Sequence, residues 1–111
     1  MEQEKLTAEL IKSLSTVNAN IVMSSHANLQ CIGRIIDSSD ILEVLRHGEI
    51  IEDYPNDYPF PSCLMLGFIK PDKPMHVCCG LGEGKIYIIT AYYPDSKKWE
   101  PDMKTRKVAA K

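Results

Sequence analysis

The hydrophobic pattern of this chain changes its period once, near Gly48, and this change constrains the fold more than any other feature. Before Gly48, apolar residues recur every three or four positions, as Leu6, Leu10 and Leu14 do, which is typical of amphipathic helices. After Gly48, short apolar runs are bounded by Gly and Pro, which indicates strands. Helices followed by strands predict an α+β fold, with N-terminal helices packed on an antiparallel sheet.

The predicted elements have their own start and stop signals. The expected helices span residues 2–15, 26–34 and about 38–47. Gly48 then stands at the position of a C′ glycine, and Ile21–Met23 is expected to be a short strand or extended segment. The prolines of residues 55–61 exclude a strand there. About four antiparallel strands are expected, at residues 49–54, 63–69, 75–81 and 85–92.

The length fits one domain rather than two. With 111 residues, of which 44% are hydrophobic and 25% charged, the chain has the composition of an ordinary globular domain. That composition excludes a mainly disordered or low-complexity chain. We assign residues 20–107 to a single α+β domain, residues 1–19 to an N-terminal helical extension and residues 108–111 to a tail.

Charge is distributed unevenly along the chain. The net charge of −2 excludes the broad basic field that marks many nucleic-acid binders. Residues 1–60 hold ten acids and four bases, a balance of −6, whereas residues 61–111 hold five acids and nine bases, a balance of +4. An anionic partner would therefore meet the C-terminal half. A solvated terminus, rather than a binding arm, is expected to hold Lys97, Lys98, Lys104, Arg106, Lys107 and Lys111.

Neither a membrane span nor a disulfide framework is expected. The first five residues lack the apolar stretch of a signal peptide, and the longest uncharged run, residues 13–33, is too polar for a bilayer. The four cysteines contain no C-x-x-C pair. We expect a cytoplasmic protein with reduced thiols and neither cofactor nor metal. The alternative is a metal site formed by His26, His76, Cys31 and Cys78, although their spacing does not indicate one.

One face of the second predicted helix carries candidate catalytic side chains. His26, Gln30 and Arg34 recur at i, i+4 and i+8, which places an imidazole, an amide and a guanidinium together. A base beside a permanent cation suits phosphodiester chemistry, because the base takes a proton while the cation stabilises the phosphorane-like transition state. The same spacing also fits a capping histidine and an arginine in a surface ion pair. The expected core side chains of this helix are Leu29, Ile32 and Ile36.

A second histidine, His76, lies inside a predicted strand. Its partner depends on the turn that joins this strand to the next one. A three-residue turn would place Thr90 opposite His76, with Tyr92 diagonal to it, and would form a polar site on a rigid sheet. A two-residue turn would place Ala91 opposite instead. The sequence leaves both registers open, as well as the alternative that His76 is only a hydrogen-bonded, half-buried residue.

Other polar and aromatic residues carry less specific signals. Glu52 and Asp53 end the first predicted strand, where acids act as general bases or, more often, are solvated and protect a sheet edge. The aromatic residues expected to pack in the interior are Tyr58, Phe60 and Trp99.

An ordered set of short strings resembles one prokaryotic family over about residues 20–107. The strings are Ser-Ser-His-Ala at 24–27, Arg34, Gly-Glu-Ile-Ile-Glu-Asp-Tyr-Pro at 48–55, Pro-Ser-Cys-Leu-Met-Leu-Gly at 61–67, Lys-Pro-Met-His-Val at 73–77, Ile-Ile-Thr-Ala-Tyr-Tyr-Pro-Asp at 88–95 and Lys-Trp-Glu-Pro at 98–101. No single string is specific, but their order is. The chain is identified on these strings as a member of the domain-of-unknown-function family numbered forty-two fifty-eight.

The resemblance implies a function that composition and spacing do not. The family looks related to the RelE-like and barnase-like toxin ribonucleases, which pack helices on an antiparallel sheet. Such proteins cleave RNA without metal by attack of the ribose 2′-OH, and their genes often adjoin that of a small zinc-finger antitoxin. The matching polar positions, expected to be catalytic, are His26, Arg34, His76, Thr90 and Tyr92.

One position departs from the family pattern. Family members often carry a basic residue where this chain has Gln30, so the helical face has lost a charge. This loss, together with the acidic N-terminal half, keeps a second hypothesis open. In that hypothesis the chain is a non-catalytic module that binds a partner protein, for example a zinc-finger neighbour, through a sheet edge or the first helix.

Overall fold

Three α-helices and five β-strands follow one another along residues 7–107, the part of the chain that the computed structural model describes. The helices are α1 (Ala8–Leu14), α2 (Ser25–Gly33) and α3 (Ser38–His47). The strands are β1 (Ile21–Met23), β2 (Glu49–Tyr54), β3 (Ser62–Lys70), β4 (Lys73–Gly82) and β5 (Lys85–Tyr92). The start of the predicted first helix, residues 2–6, and the predicted tail, residues 108–111, lie outside the described residues.

The sheet has five strands in the order β1-β5-β4-β3-β2 and is mixed rather than antiparallel. The α+β class is confirmed, but the expectation of four antiparallel strands is wrong, because β1 pairs in parallel with β5. Ile21–Met23 lies beside Ile86–Ile88 at one edge. A segment of three residues is too short to show a hydrophobic period, and no hairpin turn follows it. The sequence therefore does not predict which strand β1 pairs with.

The helices pack on one face of the sheet and form the main core there. α3 lies across β3 and β4, α1 packs on α3, and α2 lies along β5. Ile11 of α1 is fully buried in the same apolar cluster as Val44 of α3 and Met65 of β3. Gly48 ends α3 with extended backbone (φ −80°), not with the left-handed conformation expected of a C′ glycine. A Cβ at Gly48 would lie 2.5 Å from the Val44 carbonyl oxygen, so close packing requires the glycine.

The helix α2 buries a narrower face than its apolar residues predict. Its buried positions are Ala27 and Cys31, whereas Leu29 and Ile32 are 67% and 65% exposed. The expectation that Leu29 and Ile32 face the core is therefore wrong, while Ile36, just after the helix, is buried as expected. Small side chains at i and i+4 let α2 lie close to β5 near the sheet edge. The exposure of Leu29 and Ile32 shows that no other element of residues 7–107 covers the outer side of α2.

A complete Schellman motif ends α2. The N–H of Ile36 donates to the Cys31 carbonyl at 2.8 Å, and the N–H of Ile35 donates to the Ile32 carbonyl at 3.2 Å. Ile35 occupies the left-handed position of this motif with φ 55° and is 88% exposed. A β-branched residue in this conformation is strained by roughly 1–2 kcal/mol, whereas glycine is not.

We expect Ile35→Gly to stabilise the protein by about 1 kcal/mol, because it removes this strain and little buried apolar surface is lost. For a domain of this size that raises the thermal midpoint by roughly 5 °C. The matched control is Ile32→Gly, which is also exposed but lies within the helix and should destabilise by about 1 kcal/mol. Thermal unfolding of both variants checks the prediction, and equal destabilisation would contradict it.

The β4–β5 hairpin has a register that neither sequence alternative anticipated. Glu83 and Gly84 form a two-residue turn in which both have positive φ, 55° and 73°, as a type I′ turn requires. A β-bulge between Cys78 and Cys79 then shifts the pairing by one residue. His76 therefore lies opposite Tyr92, and both expected partners, Thr90 and Ala91, are wrong.

Residues 95–107 fold back over the sheet face opposite the helices, and we call them the C-terminal strap. Trp99 is buried, with 3% of its surface exposed, and pairs through a β-bridge with Arg106. Arg106 donates to both carboxylate oxygens of Glu52 at 2.7 and 2.9 Å, and Lys104 lies 2.8 Å from Glu49. The expectation of a frayed terminus is wrong for residues 95–107, although the side chains of Lys97, Lys98 and Lys107 are exposed as expected. Lys111 lies outside the described residues.

Candidate functional site

The structure divides the predicted site residues between two neighbouring groups that meet on β5. His26, Gln30 and Arg34 of α2 join Thr90 of β5, and we call these four residues the polar row. His76 joins Tyr92, two residues beyond Thr90, and the strap residues Trp99 and Met103; we call this second group the strap anchor. Thr90 and Tyr92 share a face of β5 because side chains alternate along a strand.

Three hydrogen bonds link the polar row from end to end. Nη1 of Arg34 donates to Oγ1 of Thr90 at 3.1 Å. The Thr90 hydroxyl donates to Oε1 of Gln30 at 2.8 Å. The Gln30 amide lies 2.9 Å from Nε2 of His26. His26, Gln30 and Arg34, aligned by their helical spacing, thus form one surface with Thr90. No pattern in the sequence indicated that α2 would lie against β5.

Among residues 7–107, Arg34 holds the one exposed guanidinium that hydrogen bonds to the fold orient and that no carboxylate binds. Its Nη1 also donates to the backbone carbonyl of Ala91 at 2.8 Å, which satisfies an acceptor that β1 is too short to reach. Its Nε and Nη2 have no hydrogen-bond partner among the described residues. By contrast, Arg106 is bound to Glu52 and Arg46 to the carbonyl of Ser15. The exposed edge of Arg34 is therefore available to an external anion.

His76 is buried in the strap anchor with no exposed surface. Its Nε2 lies 2.7 Å from the carbonyl oxygen of Met103, which can only accept, so Nε2 carries the hydrogen. Its Nδ1 accepts from the Tyr92 hydroxyl at 3.2 Å, and the Trp99 ring meets the imidazole edge-on at 4.4 Å. Burial lowers the pKa of His76 and keeps it neutral. Nε2 thus binds the strap and Nδ1 binds Tyr92 of β5, so neither ring nitrogen is free to face a substrate.

The free energy of unfolding should decrease as the pH falls below about 6.5, where a histidine in the unfolded chain begins to bind a proton. Burial lowers the pKa of His76 in the folded state, so the unfolded chain binds the proton first, beginning near pH 6.5. From there down to the folded pKa, His76 reduces the free energy of unfolding by at most about 1.4 kcal/mol per pH unit. Arg106 holds the pKa of Glu52 below its usual range, which adds a further loss below about pH 4.5.

Urea unfolding at about pH 7.5, 6.5 and 5.5 measures this dependence. The control is His76→Gln, in which an amide keeps a donor for Met103 but does not titrate. The wild type should lose more stability than this variant between pH 6.5 and 5.5. Parallel pH profiles for the two proteins would show that His76 is not the group responsible.

Within the described part of the chain, the cysteines and acids do not form a second chemical centre. Burial raises the pKa of Cys78 to about 11, so it is not a thiolate at neutral pH. All four cysteines are free thiols, and among residues 7–107 no three His, Cys, Asp or Glu side chains lie together as metal ligands would. Glu52, a candidate base, is bound to Arg106 and accepts a hydrogen bond from Tyr54, whose pKa is raised to about 12.

Sequence reasoning missed some features of the site and found others. Gln30 looked like the loss of a charge, yet it is the link between His26 and Thr90; its i+4 spacing from His26 was the available signal. The contact of Arg34 with Ala91 has no such signal, because it uses a backbone carbonyl. Among the aromatic residues, Trp99 packs as expected, whereas Tyr58 is 91% exposed.

Comparison with known protein families gives a match over the part of the chain that holds the candidate site. A family model described as Domain of unknown function (DUF4258) matches residues 23–93, which includes the whole polar row together with His76 and Tyr92 and ends before the C-terminal strap. No curated protein and no solved structure shows a significant match. Within residues 7–107, no helix has the length and apolar character needed to cross a bilayer.

Proposed function

The chain belongs to the family of domains of unknown function DUF4258, and we propose that it is a metal-independent, toxin-like endoribonuclease that cleaves RNA at the polar row. The observation that carries the proposal is the guanidinium of Arg34, which two hydrogen bonds through Nη1 hold in place while its outer edge stays exposed. A fixed guanidinium fork that no carboxylate of residues 7–107 occupies matches the charge and geometry of a phosphate.

The reaction needs a base and a charge stabiliser. His26, exposed and joined to Arg34 through Gln30 and Thr90, takes the proton of a ribose 2′-OH. The 2′-oxygen attacks the adjacent phosphorus, the bond to the 5′-oxygen breaks, and that oxygen is protonated by water. The products are a 2′,3′-cyclic phosphate and a 5′-hydroxyl. Arg34 stabilises the charge that develops on the phosphoryl oxygens, and Thr90 orients Arg34.

The strap anchor has a supporting part in this proposal. His76 and Tyr92 are among the polar positions that match the family pattern, and they border the row on the same face of β5. Because both nitrogens of His76 are bound and its surface is buried, His26 is the histidine that reaches a substrate. We place the protein in the cytoplasm, where RNA is accessible and four free thiols persist.

The test is cleavage of labelled single-stranded RNA by the purified protein, with and without excess EDTA. Cleavage should be the same in both conditions, and His26→Ala should slow it by roughly 100-fold or more. His47→Ala is the matched control, since His47 is also an exposed helical histidine but lies on α3, outside the row. Absence of cleavage across several RNA sequences, or equal loss in both variants, would contradict the proposal.

A second candidate function is supported by the outer side of α2. Leu29 and Ile32 of α2 and Ile35 of the turn that ends it are 67%, 65% and 88% exposed, an unusual group of large apolar side chains on one surface. In this proposal the chain is a binding module for a partner protein, and the resemblance suggests a small zinc-finger antitoxin. Co-expression with such a protein tests it. Ile32→Glu should abolish co-purification, whereas Val17→Glu, at a site that is 51% exposed in the connection after α1, should not. Unchanged co-purification of both variants would reject this surface.

A further inference from the structure

We infer that Gln30 is a positioning residue that fixes the tautomer of His26, keeping Nε2 as its unprotonated nitrogen and directing that nitrogen along the polar row toward Arg34. The inference deepens the proposed ribonuclease function and rests on it for its chemical meaning. It rests for its geometry on the hydrogen-bond chain alone. Gln30 connects Thr90 to His26, because its amide oxygen accepts a hydrogen bond from Thr90 while its NH₂ group donates one to His26. The bond to Thr90 therefore determines which end of the amide faces His26.

The direction of the chain is set at the Arg34 end. A guanidinium has donors only, so the Thr90 oxygen must accept from Nη1. The single hydroxyl hydrogen of Thr90 is then directed to Oε1 of Gln30 at 2.8 Å. With its oxygen committed to Thr90, the Gln30 amide presents its NH₂ group to Nε2 of His26 at 2.9 Å. Nε2 accepts this bond, so in the neutral ring the hydrogen is on Nδ1.

The reverse orientation of the amide is less favourable. Turning Gln30 over would leave the Thr90 hydroxyl hydrogen without an acceptor among residues 7–107, whereas the observed direction satisfies it. Thr90 is half-buried, so an unmade bond is not fully replaced by water. Thr90 therefore biases the orientation of the Gln30 amide, and the amide in turn determines which nitrogen of His26 holds the lone pair.

The hydrogen bond from Gln30 fixes the orientation of the Nε2 lone pair of His26. The lone pair of Nε2 faces Gln30, which lies between His26 and the Thr90–Arg34 end of the row. A phosphate on the outer edge of Arg34 would bring its neighbouring 2′-OH to this side of the imidazole. The substrate hydroxyl then replaces the Gln30 amide at Nε2, so the base nitrogen is oriented before the substrate arrives. A lysine or arginine at position 30 could donate to His26 but could not accept from Thr90.

The test reads the tautomer directly, by nitrogen NMR of the histidine rings in the free protein at a pH where His26 is neutral. Wild type should show an unprotonated Nε2 and a protonated Nδ1 for His26. Gln30→Leu should shift the population toward the Nε2-protonated form and slow RNA cleavage roughly 10- to 100-fold. Thr90→Val should shift the tautomer in the same direction, and Thr90→Ser, which keeps the hydroxyl, should restore the wild-type spectrum.

The outcomes separate this inference from the proposed function. A wild-type His26 that is protonated at Nε2, or a tautomer that does not change in Gln30→Leu and Thr90→Val, overturns the positioning role whatever the activity. A wild-type tautomer as expected, shifted in both variants, supports the role even if no RNA is cleaved, and the proposed function would then fail alone. Comparison of Thr90→Val with Thr90→Ser excludes a general loss of structure as the cause.

Discussion

Replacing Arg34 with Ala should lower the rate of RNA cleavage by roughly 100- to 1,000-fold. The reason is that the guanidinium is the charge placed to stabilise the transition state, and removal of one such preorganised donor group has effects of this size. Arg34→Lys should recover only part of the rate, since an ammonium keeps the charge but loses the bidentate fork. Single-turnover cleavage of a labelled RNA measures both variants.

Partial unfolding of the Arg34→Ala variant would also lower the cleavage rate, so the free energy of unfolding must be measured for the same proteins. Arg34 donates to Thr90 and to the Ala91 carbonyl, and losing these two bonds should reduce the free energy of unfolding by about 1–3 kcal/mol. Lys12→Ala, which removes an exposed cation on α1, should change neither quantity. A folded Arg34→Ala protein that retains wild-type cleavage would show that the polar row is not the catalytic site.

Replacing Trp99 with Ala should reduce the free energy of unfolding by about 3–5 kcal/mol, the range for a large aromatic side chain lost from a packed interior. Trp99 is 3% exposed, its ring meets His76 at 4.4 Å, and the guanidinium of Arg106 lies 4.7 Å from its centroid. The variant loses the contacts with His76 and Arg106 together with the buried area of the indole, and it uncovers the sheet face beneath the strap. Because native domains are stable by only about 5–15 kcal/mol, this is a large fraction of the total.

Urea unfolding measures the effect of Trp99→Ala. Trp99→Phe should be milder, since it keeps much of the buried area. Tyr58→Ala is the matched aromatic control, because Tyr58 is 91% exposed and its removal should cost less than about 0.5 kcal/mol. A loss below about 1 kcal/mol for Trp99→Ala would show that the strap contributes little to folding, contrary to the packing described here.

The local pattern of the sequence was enough to predict most elements. Strands β2 and β5 begin and end where alternation and turn residues indicated, and α2 and α3 lie within one residue of their expected ranges. These features depend on periodicity and on capping residues such as Ser24, whose hydroxyl accepts from the Ala27 N–H at 3.1 Å. Local chemistry suffices for these boundaries because caps and turn residues act within a few positions of the element that they end.

The features that the sequence did not predict arise from contacts between distant segments. The bulge beside Ile89 changes the partner of His76, yet Ile89 lies in an unbroken β-branched run that gives no sign of an extra residue. Likewise, α2 buries Ala27 and Cys31 instead of its larger apolar residues because it packs at a sheet edge. Periodicity identifies an apolar face but cannot say how much of it a neighbouring element will cover.

The same distinction applies to the candidate site. The side-by-side placement of His26, Gln30 and Arg34 was predictable from helical spacing, and that of Thr90 and Tyr92 from strand alternation. The union of the first three residues with Thr90, and the burial of His76 under the strap, required the tertiary structure. The boundary between residues 1–19 and 20–107 stays a prediction, although α1 contributes Ile11 to the core.

The central claim is that the polar row promotes attack of a ribose 2′-OH on the adjacent phosphate. The most direct measurement uses two RNA oligonucleotides that differ only in a 2′-O-methyl group at the cleaved nucleotide, incubated with the protein and EDTA, with products identified by mass spectrometry. Our account predicts a 2′,3′-cyclic phosphate and a 5′-hydroxyl from the unmodified RNA and no cleavage of the methylated one. Cleavage of both oligonucleotides at the same rate, or products that retain a 5′-phosphate, would contradict it.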